Sequence, residues 1–160
     1  FKNINFIKSP ENYHKNSKVS TYLNASFEVG TNSFNKAFES NSFGYYVGGR
    51  IYFDIGKYTI RPESIIELDK VVSFLNLYPS VKIEIGSHTD SRQSAQLNQI
   101  LSENRAKETL NYLVKSGINP DRLIAVGYGE SKLVNICADE IICTEEQHQE
   151  NRRSEFIIID

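Results

Sequence analysis

The stretch Val81-Lys82-Ile83-Glu84-Ile85-Gly86-Ser87-His88-Thr89-Asp90, with its continuation Leu97-Asn98-Gln99-Ile100-Leu101-Ser102-Glu103-Asn104-Arg105-Ala106, decides the fold. Val81, Ile83 and Ile85 alternate with other residues, as in a strand buried on one face. A polar loop, Ser87 to Ser94, leaves that strand. Leu97, Leu101, Leu110, Leu113 and Val114 then mark a long helix that Gly117 stops. Upstream, a short strand runs from Arg50 to Asp54 and is bounded by Gly56. A helix follows it. Pro62 suits its first turn, Glu63 complements the positive end of its dipole, and Ile65, Leu68, Val72 and Leu75 repeat until Tyr78 and Pro79. Downstream, Leu123 to Val126 and Phe156 to Ile159 read as two more strands, separated by an insertion that holds both cysteines. Helices of this length between strands favour crossover connections. The expectation is an α+β, two-layer α/β sandwich: a mixed four-stranded sheet in β-α-β-α-β-β order with its helices on one face.

Residues 1–46 hold eight Asn and seven Ser, as a linker would, yet carry six of the nine Phe. They are assigned as an N-terminal extension, with a possible strand at 21–29 where Leu23, Ala25, Phe27 and Val29 alternate. Gly48 and Gly49 mark the boundary, and 47–160 form the domain. An apolar content of 39% is enough for a core, and a net charge of −2 from interspersed charges gives no field to gather nucleic acid. No apolar run approaches the roughly 20 residues needed to span a bilayer. With no Met, the chain reads as a mature product or a piece of a longer protein. Cys137 and Cys143, six positions apart in a polar stretch, are expected to form a local disulfide that persists outside the cytoplasm. The alternatives are a zinc site with His148, whose spacing matches no common pattern, and free thiols.

The polar residues present several candidates. Asn98 and Arg105 are seven residues apart and share a helical stripe with Ser102, about 10 Å apart along the axis. Leu101 borders that stripe, so Arg105 emerges near the apolar face and needs an anionic partner. By spacing alone, the plainer account is that Arg105 forms a structural ion pair with Asp90, Glu103 or another acid. Asp90 would then cap a turn, His88 would be a loop histidine, Asp54 the polar end of a strand, and Asn151, Arg152 and Arg153 a solvated basic cluster.

Several segments agree in order and spacing: Ile51-Tyr52-Phe53-Asp54; Thr89-Asp90 followed by Leu97, Asn98, Leu101, Ser102, Arg105 and Ala106; Tyr112, Leu113, Gly117 and Ile118; Gly127-Tyr128-Gly129-Glu130; and Asn151-Arg152-Arg153 with Glu155. In these the chain resembles the OmpA-like domain, the peptidoglycan-binding module shared by outer-membrane porin tails, Pal lipoproteins and MotB stator proteins. The cysteine-bearing insertion is most similar to members from the Bacteroidetes. The resemblance implies non-enzymatic binding of peptidoglycan through the diaminopimelate of its stem peptide, a group with a carboxylate and an ammonium on one carbon. Asp90 would accept from the ammonium and Arg105 would clasp the carboxylate. Thr89, Asn98, the backbone from Asp54 to Gly56, and either Arg152 or Arg153 would complete the pocket. It also implies no cofactor, a place at the periplasmic face of the outer membrane, and membrane contact only through other parts of a parent protein. Gln93 stands where the family has Gly, which questions the loop conformation. The Pro usual after Gly-Tyr-Gly-Glu is absent too, from a segment expected to lie off the pocket.

Two rival classes remain. A wall hydrolase would use Asp54, His88 and Asp90, but no second histidine completes a metal site and no nucleophile elbow is present. A protein-interaction module would keep the fold and lose the ligand.

Overall fold

The computed structural model describes residues 45–159. Their order is β1 (Tyr45–Tyr46), β2 (Ile51–Tyr52), α1 (Ile65–Leu77), β3 (Ile83–Ser87), α2 (Ala95–Lys115), β4 (Leu123–Gly127), α3 (Glu145–Asn151) and β5 (Arg153–Ile158). The possible strand at 21–29 lies outside the described residues.

β5 organises the sheet. On one side it runs antiparallel to β3, with Ile85 opposite Phe156, and β3 in turn pairs in parallel with β4 through the α2 crossover. On its other side lie β1 and β2, both antiparallel to β5. The sheet is mixed, as expected, but the first strand, expected from Arg50 to Asp54, is confined to Ile51–Tyr52, and a further strand, β1, precedes it. Between β1 and β2 Gly48 adopts φ +67, a region that side chains with a Cβ rarely enter, and the Gly49 amide donates to Glu67 Oε2 at 2.9 Å instead of to a strand. Tyr45 and Tyr46, placed with the extension by the glycine boundary, pair with Ile158 and Ile157.

The core follows from the two periods. Phe53, Ile83, Ile85 and Phe156 from the sheet side join Leu68, Val71, Phe74 and Leu75 of α1 and Leu113 of α2 in one buried cluster. α1 begins on a 3-10 turn, Pro62–Ser64, and stops at Leu77, just short of Pro79. α2 is different. Its C-terminal half contributes Leu113, whereas its N-terminal half buries Asn98, Ser102 and Arg105, and Leu97, predicted on the apolar face, is 55% exposed. Glycine makes this inversion possible: a Cβ on Gly127 of β4 would lie 2.5 Å from the Glu103 amide nitrogen, so only glycine lets the polar stripe press onto the sheet.

The insertion also contains an element without a counterpart in the expected order. Thr144 accepts from the Gln147 amide while the Gln147 side chain accepts from the Thr144 amide, a capping box that starts α3. Cys137 and Cys143 are joined, with Cα atoms 5.9 Å apart. Among the described residues no helix is long and apolar enough to cross a membrane.

Candidate functional site

The loop after β3 stays hydrogen-bonded to its neighbours. The His88 amide donates to Arg153 O (2.8 Å), the Thr89 amide to Gly129 O (2.9 Å), and the Tyr128 amide to Ser87 O (2.9 Å). Asp90 Oδ1 then accepts from the Arg92 amide at 3.3 Å, turning the chain toward Ser94, which caps α2. Gln93 needs no special backbone here: among the described residues Glu140 is the only non-glycine with positive φ. The Gln93 carbonyl instead accepts from Asn98 Nδ2 at 3.2 Å.

Four charged side chains close a ring over this loop. Asp90 Oδ2 accepts from Arg92 Nη2 (2.7 Å) and Arg152 Nη1 (2.9 Å); Glu145 accepts from the same two arginines, Oε2 from Arg92 Nη1 (2.7 Å) and Oε1 from Arg152 Nη2 (2.6 Å). Burial pushes the Asp90 carboxyl up, but hydrogen bonds from Arg92 and Arg152 outweigh it and hold it below its ordinary value. Hydrogen bonds from Arg92 and Arg152 likewise hold Glu145 low. Both are carboxylates at neutral pH.

Arg105 is 0% exposed, and among the described residues no carboxylate side chain pairs with it. Its guanidinium donates to three backbone carbonyls: Nε to Lys57 O (2.9 Å), Nη1 to His88 O (2.8 Å) and Nη2 to Asp54 O (3.1 Å). It also lies over the Phe53 ring, 4.9 Å from the centroid. Burial, together with the nearby Arg152, lowers its pKa to about 10, against the opposing pull of Asp90, so it remains a cation at neutral pH. The ion pairs with Asp90 or Glu103 that spacing allowed do not form; carbonyls of the loop from Asp54 to Lys57, with that of His88, take up the guanidinium instead.

The other predicted residues divide. Asn98 Nδ2 donates to Asp90 O (3.0 Å) and to Glu130 Oε2, so Gly127 to Glu130, expected off the pocket, lies against it. The reason is the pairing of Tyr128 and Gly129 with the loop from Ser87 to Thr89. Thr89 is buried, and its hydroxyl has no hydrogen-bond partner among the described residues. The Asp54 carboxylate faces outward to Lys57 and Arg61, and only its carbonyl reaches Arg105. Gly56, at φ +65, sits exposed in the same loop.

Asn151, Arg152 and Arg153 are buried, not a solvated cluster. Chain alternation at the start of β5 sends the two arginines apart. Arg152 joins Asp90, whereas Arg153 donates from Nε to Glu155 Oε1 (2.8 Å) in a second network with Arg50, whose Nε lies 2.7 Å from the same oxygen. His88 belongs to that network. Its ring stacks on Tyr128, its Nε2 is 3.6 Å from Glu155 Oε2, and burial lowers its pKa to about 4 although Glu155 pulls the other way. His88 and Asp90 therefore face different partners, and no group of three or more metal-ligating side chains occurs among the described residues.

Sequence reasoning missed Arg92 and Glu145. Both had signals: Arg92 is two positions past an aspartate that turns the chain, and Thr144-Glu145-Glu146-Gln147 is a helix-start pattern that places Glu145 in a first turn.

A family model described as the OmpA family matches residues 52–142. Outer membrane porin F of Pseudomonas fluorescens is 39% identical over 105 residues, 66% of this chain and 31% of the porin. The peptidoglycan-associated lipoprotein of Rhizobium meliloti (strain 1021) is 34% identical over 116 residues, 72% of this chain and 63% of the lipoprotein. The chain thus matches less than two thirds of either relative. Among solved structures, the peptidoglycan-associated lipoprotein from Burkholderia pseudomallei superposes with a TM-score of 0.63 at 24% identity, covering 69% of this chain and 89% of that one. The C-terminal domain of Helicobacter pylori MotB does so with a TM-score of 0.60 at 20% identity, covering 70% of this chain and 84% of that one. At these identities the two structures establish a common fold.

Proposed function

From the premise that this chain belongs to the OmpA family, we propose that it holds peptidoglycan without covalent chemistry, through the diaminopimelate of the stem peptide, at the periplasmic face of an outer membrane. Names among its relatives support the coarser part of this reading, since two of them are peptidoglycan-associated lipoproteins and another is an outer membrane porin.

One observation carries the finer part. Arg105 is a buried cation that pairs with no carboxylate among the described residues. A guanidinium has five N–H groups and three are engaged, which leaves two, one on each terminal nitrogen. That is the number a carboxylate takes up in bidentate fashion. An acid-bearing ligand would supply the missing negative charge, and Asp90 would receive the ammonium on the same carbon. Thr89 and Asn98 flank Asp90, and Arg152 holds it in place. A tether of this kind works by number: one weak contact per molecule, repeated over many copies, secures a membrane to a continuous wall.

The second reading, an interaction module that has lost the ligand, is favoured by the full engagement of Asp90 with Arg92 and Arg152. Sedimentation with insoluble peptidoglycan separates the two. Wild type is expected in the pellet, and Asp90→Ala and Arg105→Lys are expected to weaken retention about tenfold to a hundredfold, the worth of a charge-assisted hydrogen bond. Thermal melts confirm that each variant is folded. Equal behaviour of all three proteins contradicts the proposal, and release of soluble fragments from the wall would contradict its non-enzymatic part.

A further inference from the structure

We infer that Arg92 stands where the ligand's cation is received, and that Glu145 is the second carboxylate of that position and so a specificity-determining residue. This rests on the ligand reading above. It adds a requirement: the ligand's ammonium must displace Arg92 from between two acids.

The members of the charge ring are unequally held. The Arg152 side chain is 4% exposed, and besides its two acids it donates to Phe53 O and Gln149 Oε1. The Arg92 side chain is 37% exposed, and among the described residues its guanidinium donates only to Asp90 and Glu145. Arg92 is the member that can leave. If it does, Glu145 stays, because Oε1 remains 2.6 Å from Arg152 and the residue follows the Thr144 cap. The disulfide holds the preceding segment, which Ser91 ties to the site loop by donating to Cys137 O at 2.6 Å.

Charge counting then favours a zwitterion. With Arg92 away, Asp90 and Glu145 share Arg152 and keep one net negative charge, beside the uncompensated positive charge of Arg105. An ammonium and a carboxylate on one carbon match that pair of opposite charges. A ligand carboxylate without an ammonium has nothing to put in place of Arg92; were Arg92 absent, such a ligand would leave two acids facing one arginine, at the cost of an unpaired charge.

Titration calorimetry of the whole chain with free meso-diaminopimelate tests this, with pimelate, which lacks both amines, as the control. Arg92→Ala is expected to bind diaminopimelate about tenfold more tightly than wild type, and Glu145→Gln about tenfold more weakly. Pimelate should gain nothing from Arg92→Ala. If wild type binds diaminopimelate while Arg92→Ala binds it equally or less well, the inference is overturned, and Arg92 is then part of the receiving surface. If Glu145→Gln binds as wild type does, Glu145 has no role in selection. If wild type and Arg92→Ala both fail to bind diaminopimelate, the underlying ligand reading fails and this inference falls with it.

Discussion

Arg105 and His88 lie 17 positions apart in the sequence and touch in space: the His88 carbonyl accepts from Arg105, while its ring turns away to Glu155. The ring's burial has a thermodynamic consequence. Its pKa is about 4 in the folded protein and 6.5 as an ordinary histidine, so an unfolded chain binds a proton on His88 through that window and the folded one does not. Stability is therefore present above pH 6.5 and falls as pH drops toward 4, by up to about 3 kcal/mol. Glu155, held near 2 by His88, Arg153 and Arg50 against its own burial, adds a separate loss as pH falls below 4.5. Urea unfolding from pH 7 to pH 4 should show the first decline in wild type, and His88→Gln should flatten it. A wild-type profile flat through that range would contradict the neutral, buried state of His88. Asp90 and Arg105 were legible in the sequence as a motif, but their partners were not. The carbonyls of Asp54 and Lys57 come from a loop about fifty positions away, and a backbone acceptor leaves no mark in residue identity.

Elements whose inward face is apolar were legible because the period itself is the signal: β3, α1, β4, β5 and the C-terminal half of α2 lie where their leucines, isoleucines and valines place them. The N-terminal half of α2 and all of α3 bury polar residues instead, Asn98, Ser102 and Arg105 in one and His148 and Asn151 in the other. Hydrophobic periodicity points the wrong way for the first and gives nothing for the second. What permits the polar face of α2 is the close approach at Gly127, where an added Cβ would meet Glu103 N at 2.5 Å and Ser102 Oγ at 2.6 Å. Gly127→Ala should cost about 2 kcal/mol, since backbone on the far side has no rotamer to yield. It should also weaken wall binding, because α2 carries Asn98 and Arg105. An unchanged melting temperature would mean that α2 and β4 separate freely and that the site does not depend on their contact.

Across the whole molecule, the mixed sheet brings together parts of the chain that are remote in sequence. β3 delivers the loop with Asp90, the start of β5 delivers Arg152, α2 delivers Arg105, and the disulfide-bearing insertion delivers Glu145. The expected layering of helices over a mixed sheet therefore does more than enclose a core: it brings Asp90 and Arg92 against Arg152 and Glu145, pairs that lie 62 and 53 positions apart along the chain. The insertion read as a plain loop because its contribution, a capped helix start and two charged contacts, is polar throughout. Membership of the OmpA family fixes the fold, while the ligand remains the central claim. A crystal structure of the protein soaked with meso-diaminopimelate tests it most directly. The account predicts one carboxylate of the ligand on the two remaining N–H groups of Arg105, its ammonium between Asp90 and Glu145, and Arg92 turned out to solvent. A ligand bound elsewhere, with the four-membered charge ring intact and Arg105 still sealed, would contradict it.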